Sequence, residues 1–169
     1  MPSDLVQASA DLLRRIESAF ADVPQPPPDL LYNTHCIECR EVSDFFAVRP
    51  WQAVAVLTGR IIGTPLLTAE AWRYYLPAIL IWCVRDTAAA DVLVENTVSQ
   101  LTPPADGESR WFTPRCQGFN VLQCNAIVAF LDWYRATLDE LAGQDPEPVG
   151  GLSSARAYWV NQSTQATAD

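Results

Sequence analysis

The sequence predicts an all-α or mainly α fold, a single-domain irregular helical bundle, and three observations carry that reading. Apolar residues recur at helical spacing in several separate stretches. Capping residues and prolines punctuate those stretches where helices start and stop. At 169 residues, the chain matches one compact core and is long enough to fold without a disulfide or a metal.

In the first stretch Leu5, Ala8, Leu12, Ile16, Ala19, Phe20 and Val23 lie opposite Asp11, Arg14, Arg15 and Ser18. This is an amphipathic helix from about Ser3, closed by the proline run at 24–28, which removes amide donors and excludes helical geometry before each ring. A second helix is expected after Asn33 or Thr34 and on to about Val48, with Phe45 and Phe46 buried. Trp51 to Leu57 reads as a short apolar helix and Gly59 to Pro65 as a loop. Thr68 caps a strong helix over Ala69 to Arg85, with Glu70 where the helix dipole favours a negative charge. Its apolar stripe is Trp72, Tyr75, Leu76, Ile79, Leu80 and Cys83, and Pro77 predicts a kink near Arg73. Residues 91–101 suit a short helix, although Val92, Val94 and Val98 leave a strand open.

Asn120 and Gln123 form an Asn-x-x-Gln capping box for a last long helix, Val121 to Ala142, closed by Gly143. Ile127, Phe130, Leu131, Tyr134, Leu138 and Leu141 are its core face. Domain organisation follows: one helical domain over 1–148, then a Gly/Ser/Thr-rich C-terminal segment over 149–169, disordered from Gln162, with Tyr158 and Trp159 docking the part before it.

Twenty acids against eleven bases give a net charge of -9, which repels nucleic-acid backbones and anionic membrane surfaces. The charge is uneven: residues 1–85 carry 9 acids and 7 arginines, and 86–169 carry 11 acids and 4 arginines. Every base is an arginine, which removes lysine Schiff-base and P-loop chemistry. No secretory pattern opens the chain, and the apolar run from Tyr74 to Val84 is 11 residues, against the roughly 20 that a membrane helix needs. The expectation is a cytoplasmic protein, its 5 cysteines reduced.

One local cluster has chemical potential. On a helix His35, Glu38 and Cys39 share a face, and zinc accepts all three ligand types. Cys36 with Cys39 has Cys-x-x-Cys spacing near a helix start, where a thiolate is favoured. Neither pattern is complete: no second close-spaced ligand pair exists, and no strand-turn-helix context surrounds the cysteines. The cluster is expected to be structural, with no metal and no cofactor. There is one histidine, no nucleophile elbow, no Walker loop and no glycine-rich dinucleotide motif.

Trp133 falls off the core stripe of the last helix and sits beside Asp132, which reads as a partly exposed aromatic anchor. Asp132, Trp133, Asp139 and Glu140 are therefore the candidate partner-binding residues, and a basic protein is the partner an acidic face would steer. The function expected is a non-enzymatic acidic protein-binding domain, of which an immunity protein that occludes a bacterial effector toxin is a concrete example. The alternative is a metal- or thiol-dependent enzyme or sensor using His35, Cys36, Glu38 and Cys39.

His-Cys-x-Glu-Cys-x-Glu at 35–41 with Phe45, Phe46 and Trp51, the block Glu70-Ala71-x-Arg73-Tyr74-Tyr75-Leu76-Pro77-Ala78, and Ala126-Ile127 with Phe130-Leu131 together resemble a bacterial domain-of-unknown-function family. The resemblance covers about residues 10–135, the middle block being its most specific part. It implies a small, mainly helical cytoplasmic domain and assigns no activity. The chain departs from it at Asn120-Val121, where a Thr-Pro helix start is expected, and after Gly143.

Overall fold

The computed structural model describes residues 3–32, 41, 44–55, 66–86, 91–105, 109–141 and 151–166. Helix α1, Ser3–Ala19, buries Leu12 and Ile16, and Phe20 just beyond it, and turns Asp11, Arg14 and Arg15 to solvent. The proline run ends it, and a 3-10 turn follows at Pro28–Leu30. An isolated antiparallel bridge then joins Tyr32 to Leu67. Of the helix expected from 34 to 48, the described residues 41 and 44–47 are helical, and Phe46 is fully buried. Helix α2, Trp51–Val54, is the short apolar helix anticipated there. The loop expected over 59–65 lies outside the described residues.

Helix α3, Ala69–Arg85, is the centre of the molecule. Thr68 caps it, its hydroxyl accepting from the Ala71 amide at 3.1 Å. Thirteen of its 17 residues are buried, far more than one stripe. A helix apolar on every side belongs inside a bundle, and the helical assignment runs unbroken through Pro77.

Helix α4, Asp91–Leu101, settles the strand-or-helix alternative in favour of helix: Val94, Thr97, Val98 and Leu101 are buried at i, i+3, i+4 and i+7. Helix α5, Phe112–Cys116, was not anticipated. It is too short for a period to show. Helix α6, Val121–Leu141, begins on the expected capping box: the Asn120 amide donates to Gln123 Oε1 at 3.0 Å and the Gln123 amide to Asn120 Oδ1 at 2.9 Å. Among the described residues no strand forms.

The C-terminal segment corrects the sequence reading. Instead of disorder from Gln162, helix α7 spans Leu152–Gln165. Trp159 is fully buried, and its indole N–H donates to the Leu101 carbonyl at 2.9 Å. At the entry to α7, Gly151 has φ +95°, and a Cβ there would lie 2.6 Å from Thr102 Cγ2, so only glycine fits both the left-handed backbone and the close approach. Composition misled here because the Ser, Gln and Thr residues stay exposed or half-buried, while three buried residues, Leu152, Ala155 and Trp159, dock the helix.

The packing forms a closed circuit: α1 on α3, α3 on α4, α4 on α7, α7 on α6 and α6 back on α1, with α2 and α5 against α3. Phe119, between α5 and α6, ties three of these helices together. Its ring meets Phe20, Trp72 and Trp159 edge to face, at centroid distances of 6.2, 6.3 and 5.2 Å, which is the arrangement aromatic quadrupoles favour.

Candidate functional site

The expected partner-binding residues lie along α6, with Asp132, Asp139 and Glu140 exposed and Trp133 buried. Trp133 is 6% exposed. Its ring stacks on Phe130 at 6.0 Å, and its indole N–H donates to the Ser9 hydroxyl of α1 at 2.9 Å. It is therefore a core residue that pins α1 to α6, not an exposed anchor. The reason is that α1 covers the second face of α6, which the local pattern around residue 133 does not reveal.

Asp132 points outward and is held by Arg156 of α7, with Nε to Oδ1 at 2.5 Å and Nη2 to Oδ2 at 3.2 Å. Asp139 and Glu140 are exposed in the last turn of α6, which carries no basic residue. Two negative charges there face the negative end of the helix dipole. This acidic helix end is the candidate site.

His35, Cys36, Glu38 and Cys39 lie outside the described residues. The cysteines that are described, Cys83, Cys116 and Cys124, are buried. Burial pushes the Cys83 thiol up to about 12 and Cys124 to about 11, and raises Cys116 further. Thiols so desolvated stay protonated and unreactive near neutral pH. Among the described residues no group of three His, Cys, Asp or Glu side chains is placed to hold a metal ion, and no helix is long and apolar enough to cross a membrane.

The block at 70–78 has a structural job. Arg73 donates to the Pro114 carbonyl at 2.5 Å. The Tyr74 hydroxyl accepts from the Trp51 amide at 3.4 Å, and the Tyr75 hydroxyl lies 2.7 Å from the Phe46 carbonyl and 2.8 Å from that of Arg49. These contacts satisfy backbone groups where one helical turn ends and α2 begins, so the block fixes the path of residues 46–51 across α3. Nearby, buried Arg115 donates to the Leu67 carbonyl, with its guanidinium over the rings of Trp111 at 4.3 Å and Trp72 at 6.0 Å. Desolvation lowers its pKa to about 10, which leaves it charged at neutral pH.

Sequence reasoning missed a surface trough along α1 and α6. One cavity of about 570 Å³ lies between Arg15, Ser18 and Ala19 on one side and Leu122, Asn125, Val128, Ala129 and Asp132 on the other. A second, of about 370 Å³, continues it past Phe20 and Asp22 to Arg73 and shares Ser18, Ala19 and Leu122. Leu122 is 64% exposed. The signal was available, since Leu122 lies off the core stripe of its own helix.

Neither the curated proteins nor the solved structures return a match to this chain. A model of a family of unknown function, DUF6714, matches residues 8–163. That range takes in α7 as far as residue 163, well beyond the 10–135 over which the sequence motifs carry the resemblance. With most of α1 and α7 and every helix between them inside the matched range, the chain belongs to this family of unknown function, DUF6714.

Proposed function

We propose that the chain is a non-enzymatic acidic protein-binding domain that receives a basic partner at the C-terminal end of α6, in the manner of an immunity or inhibitor protein that occludes a bacterial effector. The supporting observation is the placement of Asp139 and Glu140. Carboxylates in a last helical turn without a compensating base cost the helix stability, and local costs of that kind concentrate where function demands them. The sequence adds Asp145 and Glu147, with no base between Arg135 and Arg156. Asp132 contributes less, being engaged by Arg156. Trp133 has no part in the contact surface. The alternative, metal or thiol chemistry, draws no support from the three described cysteines and rests on the cluster at 35–39.

The test is the double variant D139N/E140Q, expected to raise folding stability by about 0.3–1 kcal/mol per charge removed while weakening partner capture. Wild type and variant are immobilised side by side and lysate proteins are eluted with rising salt. A basic protein held by wild type, released by salt and lost from the variant supports the proposal. Equal capture by both, or a partner whose retention ignores salt, overturns it.

A further inference from the structure

We infer that the trough between α1 and α6 is a self-association surface that takes a second copy of this chain across a two-fold axis. The surface carries both halves of a complementary fit. Leu122 projects from α6 at 64% exposure, and two turns further along the same face Val128, Ala129 and Ala19 line a hollow rimmed by Arg15 and Asp132. A protruding leucine beside a hollow floored by small residues is self-complementary.

The charges obey the same symmetry. In α1 and α6, which run antiparallel here, Arg15 and Asp132 lie at one end of the trough and Asp22 and Asn120 at the other. A two-fold axis lying in the interface and crossing both helices at Ser18 and Asn125 sets α6 antiparallel against its copy. Leu122 then meets Val128 and Ala129 of the second copy. The same axis brings Arg15 opposite Asp22 of the second copy, twice over. Neither Arg15 nor Asp22 makes an ion pair among the described residues, so both charges are available to a partner. Opposed charges at matched positions fix the register of such a contact. The C-terminal acids stay clear of it: Asp139 is 14 residues from Asn125 along α6, or about 21 Å at the helical rise. A pair formed this way carries two acidic helix ends.

Sedimentation velocity of the full chain from about 1 to 200 μM tests the inference, a range that brackets the micromolar affinity of modest interfaces. Wild type should pass from monomer to dimer across that range. Leu122→Asp should remain monomeric while keeping the wild-type melting temperature, since residue 122 is not part of the core. Arg15→Asp and Asp22→Arg should each weaken dimerisation by about tenfold through like-charge contact, and R15D/D22R together should restore it. A wild-type chain that stays monomeric, or a dimer indifferent to L122D, overturns the surface. A dimer that L122D abolishes but the double charge swap fails to restore overturns the two-fold arrangement.

Discussion

At residue 133 two demands meet: a large apolar ring to bury and an indole N–H that needs an acceptor once buried. Ser9 supplies the acceptor, and Ser9 in turn donates to the Leu5 carbonyl at 2.8 Å, so one bond chain links α6 to α1. Trp133→Ala should accordingly cost about 3–5 kcal/mol of folding stability, as for other buried aromatics. Urea titration of the variant checks this; a loss below about half a kcal/mol would return Trp133 to the surface. Tyr75 makes a comparable case. Its hydroxyl lies within bonding distance of the Phe46 and Arg49 carbonyls, which also accept from the Arg49 amide at 3.0 Å and from Gln25 Nε2 at 3.4 Å, so Tyr75→Phe should cost the net worth of one hydrogen bond, about 0.5–1.5 kcal/mol, measured the same way. The sequence marks both residues as large and aromatic. It does not say which is covered, because the covering groups lie 124 residues away for Trp133 and 29 for Tyr75.

Single elements were the most legible, wherever a cap and a period coincide. Thr68 and the Asn120/Gln123 box start α3 and α6 at the expected residues, because capping is local chemistry between groups three residues apart. Asn120→Ala should destabilise the chain by about 1 kcal/mol. Amide exchange then localises the effect: faster exchange confined to the first turn of α6 fits a lost cap, and uniform acceleration does not. Helix α4 was less legible, since β-branched residues at 92, 94 and 98 satisfy two periods at once until burial on one face decides between them. In α7 the pattern is sparse, and the helix holds because Trp159, Arg156 and Ser163 each find a partner on α4 or α6.

Across the whole molecule the thiols and phenols report on the packing as a unit. Cys83, Cys116 and Cys124 titrate above their ordinary value of 9.0, and Tyr75 and Tyr158 reach about 12 against 10.0, all chiefly through desolvation. The folded chain therefore keeps protons that the unfolded chain releases. These groups stabilise it fully below about pH 9 and lose that contribution as pH climbs toward 11 and 12. Arg115, lowered to about 10 from 12.5, acts in the opposite sense, but only above pH 10. The melting temperature should consequently fall between about pH 9 and 10; a flat profile there would mean that the thiols are exposed. The amino-acid sequence by itself determined the helical class, the caps of α3 and α6 and the acidic balance, because these depend on neighbours within a few residues and on summed charge. Only the tertiary structure decided that α3 is central, that Trp133 is covered, that the last segment is a helix and that Leu122 lies open on a trough. Each of those depends on which distant helix packs on which face, and burial is a property of the assembled circuit rather than of any segment in it.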